Sequence, residues 1–227
     1  MVYSKRNGNS MHKQRVNGSS KVRFRKVPES EGIVINELAK EMAESWMVGR
    51  AFSALAEKFV YGHTFLGIRD LPKFFPEVLG NSILLDLGAG DPKPMVDFAL
   101  CCDVSLYMAV DLYCPYVDMH FNDPRIILEN DDMLRFVAKI PDSSASIFLG
   151  AIDDIVLMNP KSKRIENEYR SLLLSHICRV VPTGGIAFGV NSHLLPELEK
   201  MGFERLGGVG RHKFSIDPGT AVLQKTG

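Results

Sequence analysis

The sequence lacks the segments that would place the chain in a membrane or outside the cell. No run of about 18 uncharged apolar residues occurs, which excludes a transmembrane helix. The N-terminus has no apolar core of the kind that a secretory signal needs. The four cysteines, Cys101, Cys102, Cys114 and Cys178, form no C-x-x-C pair and fit no zinc ligand spacing. These absences predict a cytoplasmic protein with free thiols, no metal site and no membrane contact.

Acidic side chains are absent from the first 26 residues, which carry eight basic ones. All 27 acidic residues and the other 19 basic ones follow, so the rest of the chain has a net charge of −8. Residues 1–30 are also rich in Asn, Gly and Ser and poor in large apolar groups, which predicts a disordered basic tail. Three roles stay open for this tail: a solvated segment without function, an arm that contacts nucleic acid, and an organellar transit peptide.

Residues 31–80 are interpreted as a helical extension that precedes the main domain. Apolar residues recur three or four positions apart from Ile35 onward, which predicts one long helix over residues 35–61. Asn36 is the predicted N-cap of this helix. Pro72 and Pro76 mark a short link over residues 71–78. We expect the helix to cover the ligand cleft or to shape the pocket of a second substrate.

From residue 82 onward, apolar strand patterns alternate with helical ones. This alternation predicts an α/β fold for residues 81–227: a doubly wound, mostly parallel, seven-stranded sheet with helices on both faces. The last two strands have no helix between them, so we expect the C-terminal strand to pair antiparallel. The predicted strands cover residues 82–87, 105–111, 125–130, 145–150, 185–190, 203–209 and 221–224. The predicted helices cover residues 92–102, 115–120, 132–139, 163–180 and 196–201.

A glycine turn follows the first of these strands. Gly88 and Gly90 admit backbone angles and close approaches that a Cβ would block, and Pro92 begins the next helix. Acidic residues stand near the ends of four successive strands, namely Asp86, Asp111, Asp132 and Asp153. Because open parallel sheets bind ligands beyond the carboxyl ends of their strands, these acids predict a binding site on one rim of the sheet.

The spacing of this rim indicates the kind of ligand. Lys93 stands where the dinucleotide motif G-x-G-x-x-G needs its third glycine, which disfavours NAD. Asp86, directly before the turn, suits a cationic group better than a pyrophosphate. Asp111 lies 21 residues after the second glycine, a distance typical of a carboxylate that accepts from two ribose hydroxyls. Asp132 can accept from an exocyclic amine and Met133 can line a purine, so the whole set describes S-adenosylmethionine.

The same stretches resemble the class I S-adenosylmethionine-dependent methyltransferases. The likeness rests on residues 85–90, 109–112, 130–133, 143–150 and 177–185, and it extends over residues 82–225. It implies a Rossmann-like fold whose sheet ends in an antiparallel strand. Pro92 departs from the family pattern, because many members have glycine at that position.

The resemblance implies a role for each matching residue. Asp86 would hold the amino group of the methionine part, and the glycine turn would let the backbone approach it. Asp111 would take the ribose hydroxyls. Leu112 and Met133 would flank the adenine, whose amino group would donate to Asp132. The full set assigned to the cofactor is Asp86, Gly88, Ala89, Gly90, Asp111, Leu112, Asp132, Met133 and Gly150.

The methyl acceptor is less well defined by the sequence. After the fourth predicted strand the chain reads Gly150-Ala151-Ile152-Asp153-Asp154, not the Asn/Asp-Pro-Pro-Tyr/Phe of enzymes that methylate exocyclic amines of bases. Asp153 and Asp154 are the catalytic candidates, as a general base or as groups that orient the acceptor. A helix N-cap is the alternative role for either one.

We expect a methyltransferase that acts on a small molecule, because an acidic body repels nucleic acid. Three alternatives stay open. The first is an RNA or protein methyltransferase that uses the basic tail, and the second is an S-adenosylmethionine-binding protein without catalysis. The third, a nicotinamide-dependent oxidoreductase, is disfavoured by the missing third glycine. The sequence leaves the oligomeric state open.

Overall fold

The computed structural model describes residues 22–43, 74–90, 92–112, 121–149, 163–191, 194–206 and 220–227. The strands in this part of the chain are β1 (Ile83–Leu87), β2 (Leu106–Asp111), β3 (Ile126–Asn130), β4 (Ala145–Phe148), β5 (Ile186–Asn191), β6 (Phe203–Arg205) and β7 (Thr220–Lys225). The helices are α1 (residues 29–43), α2 (Phe74–Leu79), α3 (Lys93–Cys101), α4 (Met133–Ala138), α5 (Lys163–Val180) and α6 (Leu195–Lys200). None of these helices is long and apolar enough to cross a membrane.

The strands form one seven-stranded sheet in the order β3-β2-β1-β4-β5-β7-β6. The neighbouring strands from β3 to β5 run parallel, whereas β7 is antiparallel to both β5 and β6. In β1, Leu84, Leu85 and Leu87 are completely buried, as a parallel strand covered on both faces requires. The chain order reverses between β1 and β4, which is where open sheets bind ligands. The structure thus confirms the predicted doubly wound sheet and its antiparallel C-terminal strand.

Each face of the sheet has its own apolar core. Residues of α1, α4, α5 and α6 pack together on one face. On the other face, Phe75 from α2 and Phe98 from α3 meet Phe148 and Phe188 from the strands, with ring centroids 5.1 to 5.9 Å apart. We call this second side the aromatic face. Because side chains alternate between the faces along a strand, Asp86 points to the aromatic face, as does Leu84 two residues before it.

The N-terminal helix begins earlier than predicted. The chain is helical from residue 29, so Asn36 is an exposed residue inside α1 and not its N-cap. The predicted apolar stripe is present, because Ile35, Leu38 and Met42 are all buried in the core. The predicted continuation of this helix over residues 44–61 lies outside the described residues.

Residues 22–30, which were predicted to be disordered, lie on the folded domain. Val22 and Val27 pack against the core, and the backbone N–H of Arg25 donates to the carbonyl oxygen of Lys139 at 2.6 Å. Arg25 also forms an ion pair with Glu31, with a nitrogen–oxygen distance of 3.0 Å. A composition argument misses these contacts because it counts a segment's own apolar residues and not the surface that receives them. The rest of the predicted tail, residues 1–21, lies outside the described residues.

Further differences concern the ends of elements. The predicted link over residues 71–78 contains α2, because Phe75 and Leu79 become fully buried against the sheet. The strand predicted over residues 145–150 ends at Phe148. The long helix α5 has the predicted bounds. The helix predicted over residues 115–120 lies outside the described residues.

Candidate functional site

The turn between β1 and α3 is fastened to the end of β2. The backbone N–H groups of Gly88 and Ala89 both donate to the carbonyl oxygen of Val110, at 2.9 and 3.1 Å. The N–H of Gly90 donates to Oδ2 of Asp111 at 3.0 Å. Gly88 and Gly90 have φ angles of 79° and 51°, in the region that glycine adopts without strain. The glycines are therefore needed for the turn itself, and one predicted ligand-binding residue holds its shape.

Asp86 is a completely buried carboxylate at the start of this turn. Its Oδ2 accepts a hydrogen bond from the hydroxyl of Tyr107 at 2.6 Å. Within the described part of the chain no group donates to its other oxygen, Oδ1, although that atom is also buried. A buried carboxylate oxygen without a partner costs free energy unless a ligand or solvent satisfies it. Oδ1 is therefore the acceptor in this region that is suited to a ligand.

The surroundings of Asp86 hold it near the midpoint of its titration. Burial raises the pKa of the Asp86 carboxyl from an ordinary 3.8 to about 7. The hydrogen bond from Tyr107 lowers this pKa, and the charge of Asp111 raises it. A nearby cation would favour the ionised form. The chemistry of this position thus fits the ammonium group that the sequence predicted as its ligand.

Asp111 ends β2 on the neighbouring strand. Its side chain is half-buried and, through Oδ2, holds the N–H of Gly90. Its backbone is held in turn by Asn130 at the end of β3. With its amide nitrogen turned towards β2, Asn130 donates to the carbonyl oxygens of Asp111 and Leu112, at 3.0 and 2.7 Å. The ends of β1, β2 and β3 are thereby joined along one rim.

Asp132 has a structural role that the sequence analysis missed. It is the N-cap of α4, where Oδ1 accepts from the backbone N–H groups of Leu134 and Arg135 at 2.9 and 3.1 Å. Its Oδ2 accepts from the hydroxyl of Tyr169 on α5 at 2.9 Å. Burial raises the pKa of the Asp132 carboxyl, and these hydrogen bonds oppose that rise. Both oxygens are engaged within the protein, so the predicted direct contact with an adenine amino group would compete with existing bonds.

The predicted site residues fall into three sets. The structure brings those at the ends of β1, β2 and β3 to one rim, with Asp86 opposite Ala109 and Asp111 opposite Asn130 in the strand register. Met133 begins α4 behind this rim and is 5% exposed, so it presents little surface to a purine. The remaining predicted site residues, Gly150, Asp153 and Asp154, lie outside the described residues.

Three polar side chains of this region were not predicted as site residues: Tyr107, Tyr169 and Asn130. The two tyrosines lie within the predicted second strand and the predicted long helix, and the sequence analysis assigned them no role. A signal was present, because a buried tyrosine hydroxyl usually needs a hydrogen-bond partner. Side chains alternate between the two faces along each strand, and the pairing of Leu84 with Tyr107 places Tyr107 and Asp86 on the same face of the sheet. Within the described residues, no three His, Cys, Asp or Glu side chains form a group that could hold a metal ion.

The chain is similar in fold to solved structures of other proteins. Neither a protein-family model nor a curated protein matches the sequence. An S-adenosylmethionine-dependent methyltransferase from Archaeoglobus fulgidus aligns with 77% of this chain and 100% of its own, at a TM-score of 0.52 and 14% identity.

The 1,6-didemethyltoxoflavin-N1-methyltransferase of Burkholderia thailandensis aligns with 89% of this chain and 92% of its own. The TM-score is 0.50 and the identity 14%, and that structure contains 1,6-didemethyltoxoflavin and S-adenosylhomocysteine. At such identities the likeness establishes the fold alone. The chain therefore has the Rossmann-like fold of the class I S-adenosylmethionine-dependent methyltransferases.

Proposed function

We propose that the chain is an S-adenosylmethionine-dependent methyltransferase. The observation that carries this proposal is the buried Asp86, whose Oδ1 lacks a donor among the described residues, directly before the Gly88–Gly90 turn. A carboxylate in that position suits a ligand with an ammonium group and repels a pyrophosphate. The fold adds support, because the site lies where the strand order of the sheet reverses.

Each residue of the rim has a role in this proposal. Oδ1 of Asp86 accepts from the amino group of the methionine part, while Gly88 and Gly90 leave space for its chain. Asp111 accepts from the ribose hydroxyls. Leu112 lines the adenine. The bound cofactor supplies a sulfonium methyl group, and the protein contributes positioning and exclusion of water, which suffice for much of the rate of an in-line displacement.

The adenine end differs from the sequence-based expectation. We propose that Asp132 acts there mainly through the position of Met133, because its two oxygens hold the first turn of α4 and the hydroxyl of Tyr169. Met133, which is 5% exposed, then supports the adenine pocket from behind the rim and offers the purine little contact surface of its own. The direct contact between Asp132 and the adenine amino group stays a prediction, as does the contribution of Gly150.

For the acceptor we propose a small molecule. The body of the chain after residue 26 has a net charge of −8, which disfavours a polyanion. Asp153 and Asp154 stay the candidates for a general base or an orienting group. One observation favours an RNA or protein acceptor instead, namely the eight basic residues before position 27, where Phe24 is 52% exposed. The free cysteines among the described residues, Cys101, Cys102 and Cys178, agree with a cytoplasmic location.

Calorimetric titration tests the cofactor. Wild-type protein should bind S-adenosylmethionine and not NAD. Asp111→Ala should bind S-adenosylmethionine about a hundredfold more weakly, because the ribose hydroxyls and the N–H of Gly90 both lose a charged acceptor. NAD binding by the wild type, or undiminished S-adenosylmethionine binding by the variant, would contradict the proposal.

Methyl transfer then tests catalysis and the acceptor. Labelled S-adenosylmethionine is incubated with the protein and with separate pools of small molecules, RNA and proteins. We expect label in the small-molecule pool. Label in RNA that falls steeply with salt, and is lost on deletion of residues 1–21, would establish the alternative acceptor. Cofactor binding without label in any pool would instead indicate a non-catalytic binding protein.

A further inference from the structure

Tyr107 is a polar residue buried within the aromatic face. It lies in the middle of β2 and is completely inaccessible to solvent. In the strand register it stands opposite Leu84, whereas Asp86 stands opposite Ala109, two residues further along. Its hydroxyl nevertheless reaches Oδ2 of Asp86 at 2.6 Å. The tyrosine side chain therefore extends along the sheet towards the rim, past an alanine that offers only a methyl group.

This bond fixes the orientation of the Asp86 carboxylate. A tyrosine hydroxyl that donates to one carboxylate oxygen leaves the other oxygen as the acceptor for a further group. Rotation of the carboxylate would break this bond between two completely buried side chains. The result is a single buried oxygen, Oδ1, that is presented without a donor among the described residues.

The second buried tyrosine–aspartate pair shows that such a bond alone does not make a ligand site. Tyr169 donates to Oδ2 of Asp132 at 2.9 Å, and both residues are buried. There, however, the opposite oxygen already accepts from two backbone N–H groups of α4. The pair at Asp132 is complete, whereas the pair at Asp86 has an unused acceptor.

We propose that Tyr107 is a positioning residue for cofactor binding: its hydroxyl orients Asp86 and favours its ionised form, so that the site selects ligands that carry an ammonium group. The inference rests on the proposed function, because it concerns the methionine end of the same cofactor. A phenol donor stabilises the charged carboxylate more than the neutral acid. Removal of the hydroxyl therefore favours the neutral acid, which attracts a cation much less.

Among the described residues, few charged groups surround Asp86. Asp111, also on β2, acts against ionisation of Asp86, and Tyr107 acts in its favour. From β4, the residue opposite Asp86 is the apolar Phe148. The helices of the aromatic face carry their charges on exposed positions, namely Glu77 on α2 and Lys93 and Asp97 on α3. Tyr107 is thus the donor that the structure places directly on the carboxylate.

The test compares two ligands that differ only at the methionine end. S-adenosylhomocysteine carries the ammonium group, and 5′-methylthioadenosine has the same adenosine part without an amino acid. Tyr107→Phe should bind S-adenosylhomocysteine about tenfold or more weakly at neutral pH, with little change for 5′-methylthioadenosine. Tyr169→Phe is the matched control, because it also removes a buried hydroxyl from an aspartate. It should leave the ratio of the two affinities unchanged.

The pH profile supplies a readout that a merely structural role would not move. In the wild type, the affinity ratio should rise from about pH 5.5 to 7.5 as Asp86 ionises, and the midpoint should move to higher pH in Tyr107→Phe. This wild-type measurement also serves if the variant fails to fold.

The outcomes separate the inference from the proposed function. An equal loss of both ligands in Tyr107→Phe would overturn the role of Tyr107 and leave the methyltransferase proposal in place. A flat wild-type ratio would overturn the role of Tyr107 and would also remove the support that Asp86 gives to the proposed function. A wild-type protein that binds neither adenosine compound would overturn both.

Discussion

Two buried carboxylates stand near the same rim of the sheet, and they differ in the number of bonds that the protein gives them. Asp132 has both oxygens occupied, by the first turn of α4 and by Tyr169. Asp86 has one oxygen occupied by Tyr107, and the other has no donor among the described residues. Burial and a tyrosine partner are common to both. The proposed binding group therefore differs from the structural one in having an unused acceptor among the described residues, and not in burial.

The largest expected effect concerns stability and pH. Because folding raises the pKa of Asp86 from 3.8 to about 7, the native state binds more protons than the unfolded state between these values. Below pH 4, Asp86 is neutral in both states and does not lower the unfolding free energy. As pH rises through 7, the buried carboxyl must ionise or stay protonated at a cost, and the unfolding free energy falls. Relative to Asp86→Asn, the wild type should lose roughly 4 kcal/mol of unfolding free energy from pH 4 to pH 8.

Urea unfolding at several pH values measures this difference. Asp97→Asn, which removes an exposed carboxyl from α3, is the control and should keep the wild-type dependence. If wild type and Asp86→Asn lose the same unfolding free energy as pH rises, folding does not raise the pKa of Asp86 to about 7.

The next largest effect concerns ligand binding. Asp86→Asn should weaken S-adenosylhomocysteine by about 3 kcal/mol, or more than a hundredfold, because a buried charge pair loses one partner. Asp132→Asn keeps an oxygen for the helix cap and should change the affinity by less than about threefold. Calorimetry measures both. A large loss in Asp132→Asn would instead support the predicted direct contact between Asp132 and the adenine.

Asp132, whose substitution should affect ligand binding little, is expected to matter for stability at a fixed pH. Asp132→Ala removes the N-cap of α4 and leaves the buried Tyr169 hydroxyl without its acceptor, at a cost of about 2 kcal/mol. Asp132→Asn should recover most of the loss. Thermal unfolding checks this order, and equal stability of wild type and Asp132→Ala would show that the cap contributes nothing.

The smallest effect concerns the N-terminal segment that the sequence placed in a disordered tail. Arg25 and Glu31 form a partly exposed ion pair, so Arg25→Ala should cost less than about 1 kcal/mol. Glu31→Gln should cost no more. Limited proteolysis of both variants can report whether residues 22–30 stay docked on the domain. A loss of several kcal/mol would mean that this segment stabilises the fold far more than its ion pair suggests.

The sheet could be predicted from the sequence because its signals are local. β1, β2 and β5 are mostly apolar runs, and the turn with Gly88 and Gly90 ends β1 at a recognisable point. The parallel direction of the main strands was accessible as well, since alternation of strands and helices restricts the topology. The bounds of α5 were also predicted correctly, because the signals that begin and end a helix are local.

The bonds within the site could not be predicted in this way. The pairing of Tyr107 with Asp86 and of Tyr169 with Asp132 joins elements that are far apart in sequence, and it depends on register and side-chain direction. The docking of Arg25 near Lys139 is also a contact between distant segments. The start of α1 was misplaced because Asn36 is a good capping residue that happens to lie inside the helix.

The most direct test of the account counts the protons that ligand binding displaces. S-adenosylhomocysteine is titrated at pH 7 in buffers with different ionisation enthalpies. If an ammonium group binds Asp86 and requires it ionised, the wild type should release about half a proton per ligand, and Asp86→Asn should release none. Tight wild-type binding without proton release, or equal release by the variant, would contradict the assignment of Asp86 as the cofactor's anionic partner.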